Sequence, residues 1–176
     1  WMGYAELDRQ SAALGAWLQG QGLAPGARVA IMLPNIPQFA ETMAAVLRAG
    51  YICVNVNPLY TGRELEHQLK DSGSSAIVIL ENFAHTLAEV IEHTGVQRVV
   101  MASMGDLLGF WYGRWITFAV RHLAKMVPAY KLPLSEGRAV TAFNRAVAEG
   151  AAMTLKSANS SLDSIAFLQY TGGTTG

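Results

Sequence analysis

The sequence predicts an α/β fold in which a mainly parallel sheet is flanked by helices. Short apolar segments with strand character alternate with helical segments from the start of the chain to residue 102. Such alternation is typical of parallel sheets covered by helices. Hydrophobic residues make up 51% of the 176 residues, so the chain has enough apolar side chains to bury a core against such a sheet.

Apolar spacing and helix-terminal signals predict the helices. Leu7, Leu14 and Leu18 recur near helical spacing in the first of them. Thr61 and Glu64 have the spacing of a capping box, so a helix is expected to begin there. The predicted helices span residues 4–19, 35–48, 61–71 and 83–93.

Runs of apolar and β-branched residues between turn signals predict the strands. Cys53, the only cysteine, lies in the second strand and is expected to be a buried, inert thiol. Asn55 and Asn57, at the end of the same strand, are interpreted as turn-capping amides rather than ligand contacts. The predicted strands span residues 28–33, 51–57, 76–80, 97–102 and 165–170.

The interval from residue 103 to residue 163 interrupts the alternation. It is too long for an ordinary loop, so it is expected to contain structure of its own. Two parts are interpretable: a basic aromatic stretch over residues 110–131 and a short helix over residues 139–149.

Charge and residue usage exclude several classes of function. Thirteen basic residues balance thirteen acidic ones, which argues against a nucleic-acid-binding protein with its usual basic excess. A single cysteine excludes a disulfide framework and a cysteine-based metal cluster. The four histidines form no metal-binding motif, and His67 is expected on a solvated helix surface.

The segment from Ile165 to Gly176 is the one that indicates chemistry. A short apolar strand leads into a loop of glycines and threonines, Thr171–Gly176. Glycines let backbone N–H groups approach and cradle phosphate oxygens, and threonine hydroxyls bind phosphate or Mg²⁺. The loop lacks the lysine of the P-loop found in kinases and GTPases. A flexible hairpin or linker remains the alternative.

Residues 170–176, Tyr-Thr-Gly-Gly-Thr-Thr-Gly, resemble the phosphate-loop signature of the AMP-forming acyl-adenylate synthetases. Other segments resemble the same superfamily in the expected order. Residues 54–61, Val-Asn-Val-Asn-Pro-Leu-Tyr-Thr, are most similar to the bacterial long-chain fatty-acid–CoA ligases. The remaining similar segments are residues 4–7, 28–35 and 63–65.

The resemblance implies that this loop binds the phosphates of ATP and that Thr171 helps to hold Mg²⁺ together with a distant glutamate. The implied phosphate-binding residues are Thr171, Gly172, Gly173, Thr174, Thr175 and Gly176. No catalytic side chain is assigned, because the family's lysines and its adenine-binding segment correspond to positions after Gly176. We therefore expect residues 1–176 to be a partial N-terminal AMP-binding domain, inactive alone, with an insertion over about residues 107–135.

The implied reaction activates a fatty acid with ATP to an acyl-adenylate and then transfers the acyl group to coenzyme A. Two alternatives remain open at this point. One is another adenylate-forming enzyme that acts on an aryl or amino acid. The other is a non-catalytic, membrane-associated binding module.

The basic aromatic stretch has the composition of a helix that lies in a membrane interface. Residues 107–135 contain no acidic residue. On a helix over residues 110–127, cations would share one arc beside aromatic side chains. The predicted contact residues are Trp111, Arg114, Trp115, Phe118, Arg121 and Lys125. We expect a cytoplasmic protein, peripheral on the inner face of the cell membrane. The alternative packs this helix on the protein's own core, and would bury both indoles.

Overall fold

The computed structural model describes residues 2–133, 137–158 and 160–171. It contains a six-stranded sheet in the order β5-β4-β3-β1-β2-β6, with every neighbouring pair parallel. The predicted parallel α/β fold is thereby confirmed. The strands are β1 Arg28–Met32, β2 Ile52–Asn55, β3 Ala76–Leu80, β4 Arg98–Ala102, β5 Ala139–Ala142 and β6 Phe167–Gln169.

Six α-helices accompany the strands within the described residues. They are α1 Tyr4–Gln19, α2 Pro37–Arg48, α3 Gly62–Ser72, α4 Ala84–Val90, α5 Phe110–Phe118 and α6 Phe143–Gly150. The capping box predicted at Thr61 and Glu64 is present, since each side chain bonds the other's backbone N–H. Gly73 ends α3 with a positive φ of 63°, which glycine adopts without strain.

The core lies on both faces of the sheet because neighbouring strand residues point to opposite sides. In β1, Val29 and Ile31 pack with α1, α2 and α6, whereas Ala30 and Met32 pack with α3 and α4. Cys53 is fully buried and free. Burial raises the pKa of its thiol to about 12, so the expectation of an inert thiol is consistent with the fold.

The helix predicted over residues 139–149 is wrong in its first four residues. Residues 139–142 form strand β5, which pairs with β4 at the edge of the sheet, and α6 begins only at Phe143. Three of the four strand residues are exposed, so the strand has no apolar signature. Pairing with β4 decides its conformation against the helical preference of its two alanines.

The predicted helix over residues 110–127 is shorter than expected. It comprises α5 and one π-helical turn, Ala119–Leu123. Lys125 follows the turn with a positive φ of 50°, a conformation that ends a helix. The helix predicted over residues 83–93 is α4 flanked by two short 3₁₀ turns, Glu81–Phe83 and Ile91–His93.

Candidate functional site

The glycine–threonine loop starts at the carboxyl edge of the sheet. Strand β6 ends at Gln169, and Thr171 follows two residues later with its surface exposed. In open parallel sheets, ligands bind outside the carboxyl ends of the strands. The position of Thr171 is therefore consistent with a phosphate site. The other predicted phosphate-binding residues, Gly172, Gly173, Thr174, Thr175 and Gly176, lie outside the described residues.

The end of β6 is fastened to the end of β2. Asn55 and Gln169 face each other in register, and Asn55 Nδ2 donates a hydrogen bond of 3.0 Å to Gln169 Oε1. The buried Gln68 of α3 donates from Nε2 to the backbone oxygen of Asn55 at 2.8 Å. Asn57 does cap a turn, because its Oδ1 accepts from the N–H of Leu59. The capping interpretation is thus confirmed for Asn57, whereas Asn55 bridges two strands.

A second contact holds the residue just before Thr171. The hydroxyl of Tyr170 donates a hydrogen bond of 2.5 Å to Asp71 Oδ2, at the end of α3. Burial, and then the hydrogen bond and charge of Asp71, raise the pKa of Tyr170 to about 12. Tyr170 therefore remains a neutral donor at physiological pH. The sequence analysis missed this pair, because 99 residues separate its members.

The described residues supply little for a metal ion on their own. No group of three or more His, Cys, Asp or Glu side chains within them has the arrangement of a metal site. Thr171 offers one hydroxyl, an oxygen ligand of the kind that Mg²⁺ accepts. One hydroxyl is suited to an ion whose other ligands include the nucleotide. It does not make a metal site together with the other described residues.

The basic aromatic stretch is tied to the same edge of the sheet. Arg121 Nη2 forms an ion pair with Oε2 of Glu81, which is fully buried directly after β3. Asn82 donates from Nδ2 to the backbone oxygen of Met126 at 3.0 Å. These two contacts, made by neighbouring residues directly after β3, position the stretch. In the sequence, Glu81 is a single acidic residue directly after an apolar strand. That was the only indication that it pairs with a cation from residues 107–135, which contain no acidic residue.

Gly105 and Gly113 bring α5 against the loop that precedes it. A Cβ added at Gly105 would lie 2.0 Å from the backbone oxygen of Gly113. A Cβ added at Gly113 would lie 2.3 Å from the backbone oxygen of Gly105. Only glycine permits this approach, so the start of α5 is held by backbone contact.

Two parts of the predicted membrane face need correction. Arg121 points its guanidinium toward the buried Glu81 rather than toward solvent alone, because an unpaired carboxylate would be costly in the core. Lys125 lies after the helical segment and so leaves the predicted arc of cations. Arg114 remains on α5, as predicted.

The aromatic side chains of α5 are exposed. Trp111 is 80% exposed, Trp115 66% and Phe118 51%. Neither indole is therefore buried against the described core, which is where the alternative interpretation placed both of them. Among the described residues, no helix combines the length and apolar character needed to cross a bilayer.

Known proteins resemble this chain over its whole length. Residues 1–176 match the family described as AMP-binding enzyme. The long-chain-fatty-acid–CoA ligase of Salmonella typhimurium is 47% identical over 176 residues, which are 99% of this chain and 30% of that protein. The ligase of the same name from Bacillus subtilis is 35% identical over 163 residues, which are 93% of this chain and 28% of that protein. The chain thus spans about a third of these relatives' length.

Solved structures share the fold. A long-chain-fatty-acid–CoA ligase from Archaeoglobus fulgidus aligns with a TM-score of 0.69 and 23% identity, over 97% of this chain and 28% of that chain. The adenylation domain of a carboxylate reductase from Mycobacterium chelonae aligns with a TM-score of 0.73 and 19% identity, over 97% of this chain and 25% of that chain. The fold and the match over residues 1–176 agree. The chain therefore belongs to the AMP-binding enzyme family.

Proposed function

We propose that this chain is the N-terminal part of an AMP-forming long-chain-fatty-acid–CoA ligase. The observation that carries the proposal is the identity of 47% over 176 residues with a relative of that name. The start of the glycine–threonine loop at the carboxyl end of β6 supports it independently. The substrates are a fatty acid, ATP and coenzyme A.

In this proposal the loop that begins at Thr171 binds the phosphates of ATP. Backbone N–H groups of Gly172, Gly173 and Gly176 donate to phosphate oxygens, and the hydroxyls of Thr174 and Thr175 add donors. Thr171 supplies one oxygen ligand to Mg²⁺. The ion, when bound, neutralises charge that develops on the phosphates as the fatty-acid carboxylate attacks the α-phosphate.

Contact with the inner face of the cell membrane is the second part of the proposal. Fatty acids partition into membranes, and the exposed Trp111, Trp115 and Phe118 offer an apolar face for such a surface. Residues 107–135 carry no acidic side chain that would repel anionic headgroups. Arg114, Arg121 and Lys125 supply positive charge on this segment, and Arg121 also pairs with Glu81.

Product analysis of a full-length enzyme that carries these residues tests the proposed reaction. With ATP, Mg²⁺ and a long-chain fatty acid, we expect pyrophosphate and an acyl-adenylate, and, once coenzyme A is added, AMP and acyl-CoA. Aryl and amino acids serve as the matched comparison substrates. Turnover of those acids without turnover of fatty acids would favour the other adenylate-forming activity. No turnover of any carboxylic acid would favour the non-catalytic module.

A further inference from the structure

Helix α3 reaches the ends of two strands from one of its faces. Gln68 donates to the backbone oxygen of Asn55, the last residue of β2. Asp71, three residues later and so on the same side of the helix, accepts from the hydroxyl of Tyr170, just after β6. One helix therefore holds both strand ends beside the proposed phosphate loop.

Strand β6 depends on such contacts because it is short and lies at the edge of the described sheet. It has three residues and pairs only with β2 in the described part of the chain. Beyond the pairing, two side-chain hydrogen bonds fix its end: Asn55 with Gln169, and Tyr170 with Asp71. The second is made by the residue directly before Thr171, so it sets the direction in which the chain leaves the strand.

We infer that Asp71 is a positioning residue of the nucleotide site. Its carboxylate holds the hydroxyl of Tyr170, and the backbone of Tyr170 in turn fixes where Thr171 begins the phosphate loop. This inference rests on the proposed function of that loop. Asp71 itself touches no reacting atom. Its effect arises because the loop binds ATP tightly only when its phosphate-binding groups are already in place, so a displaced loop binds ATP more weakly.

The chemistry of the pair suits this role. A carboxylate is a strong acceptor, and its hydrogen bonds are shorter and stronger than those between neutral groups. Tyr170 is half-buried whereas Asp71 is exposed. The pair therefore adds little to global stability, and its loss is expected to affect the loop more than the fold.

The test compares variants of a full-length enzyme that carries these residues, in fatty-acid-dependent exchange between ATP and pyrophosphate. Tyr170→Phe and Asp71→Ala should each raise KM for ATP about tenfold, the scale of one hydrogen bond to a charged group. Asp71→Asn keeps an acceptor oxygen, so its KM for ATP should lie close to the wild-type value. KM for ATP in the double variant should be no higher than in either single variant, because both substitutions remove the same contact.

Matched controls separate positioning from a structural effect. Glu66→Ala removes surface contacts with Lys70 on the same helix and with His93, and Tyr4→Phe removes a hydroxyl from an exposed tyrosine. Both controls should leave KM for ATP unchanged. In the Tyr170 and Asp71 variants, KM for the fatty acid should stay within about twofold, and Tm should change by no more than in Glu66→Ala.

Three results would overturn the inference. One is an unchanged KM for ATP in Tyr170→Phe and Asp71→Ala. Another is additive losses in the double variant, and the third is no recovery in Asp71→Asn. Failure of the proposed function is a different result, since the wild-type enzyme would then show no fatty-acid-dependent exchange at all.

Discussion

Arg121 forms an ion pair with Glu81, a carboxylate that is fully buried at the end of β3. The two residues join the basic aromatic stretch to the core of the sheet. The stretch is therefore an anchored part of this fold, with its aromatic residues exposed and one of its cations turned inward. The ion pair thus holds the helical turn that follows α5 against the end of β3.

Removal of the cation from this pair should destabilise the fold. Arg121→Gln leaves Glu81 buried without its counter-charge, and we expect a loss of about 1–3 kcal/mol, reduced because Arg121 is half-exposed. The double variant with Glu81→Gln should recover part of the loss, since no buried charge remains. Urea unfolding of the wild type and these two variants measures the difference in stability. Equal stability of wild type and Arg121→Gln would show that the anchor contributes nothing.

Stability should fall as the pH rises, because of Glu41. This residue of α2 is fully buried, and neither carboxylate oxygen has a hydrogen-bond partner among the described residues. Burial, and then the charge of Glu6, raise the pKa of Glu41 to about 7. A carboxyl group with a higher pKa in the folded state binds its proton more tightly there. Its contribution is complete below the unfolded pKa of 4.5 and is lost as the pH rises through about 7.

Glu41→Gln should remove that pH dependence. At pH 8 the variant should be more stable than wild type by about 3 kcal/mol, from a shift between 4.5 and about 7 at about 1.4 kcal/mol per pKa unit. At pH 4 the two proteins should be nearly equal. Urea midpoints between pH 4 and pH 8 measure the difference. Parallel curves for wild type and variant would refute an ionisable Glu41 as the cause.

Contact between α1 and α6 should require glycine at position 150. A Cβ at Gly150 would lie 2.0 Å from the backbone oxygen of Ala13, so Gly150→Ala must separate the two helices. We expect a loss of about 1–3 kcal/mol, as for other overpacked sites. Gly95→Ala is the control, since its Cβ would meet only an ordinary contact at 3.7 Å. A similar unfolding free energy for both variants would contradict the close packing of these helices.

The proposed membrane contact predicts a change in the fluorescence of two exposed tryptophans. Adding anionic vesicles to a full-length enzyme that carries these residues should shift tryptophan emission to the blue, as Trp111 and Trp115 leave water. The charge contribution is about 1 kcal/mol for each cation near the surface and should weaken with salt. Cosedimentation with vesicles should fall in Arg114→Gln with Lys125→Gln, and fall further in Trp111→Ala with Trp115→Ala.

Neutral vesicles and a Gly95→Ala variant serve as controls for this experiment. The Arg114 and Lys125 variants leave the pair of Arg121 and Glu81 intact, so they test charge without releasing the anchor. Binding that is unaffected by both pairs of substitutions would end the membrane proposal.

Local patterns predicted the parallel sheet because each element carries its own periodicity. The capping box at Thr61 and Glu64 was readable for the same reason, since both partners lie within one helical turn. Strand β5 was missed because an exposed edge strand lacks an apolar pattern and its conformation depends on pairing with β4.

Local sequence patterns could not predict contacts between residues that are far apart in the chain. Tyr170 meets Asp71, and Arg121 meets Glu81, only after the strand order has placed them together. The left-handed conformation of Lys125 has no sequence signal either, because lysine rarely adopts a positive φ. The position of Thr171 after a strand was predictable, because an apolar run directly precedes the glycines and threonines in the sequence.

The most direct test of the account is fatty-acid-dependent exchange of pyrophosphate into ATP by Thr171 variants of a full-length enzyme that carries these residues. Loss of one such ligand or donor costs roughly 10²–10³ in rate. We expect that loss in Thr171→Ala, with an altered Mg²⁺ dependence, and near-normal exchange in Thr171→Ser, which keeps the hydroxyl. Exchange at the wild-type rate with unchanged Mg²⁺ dependence in Thr171→Ala would contradict the phosphate-binding role of this loop.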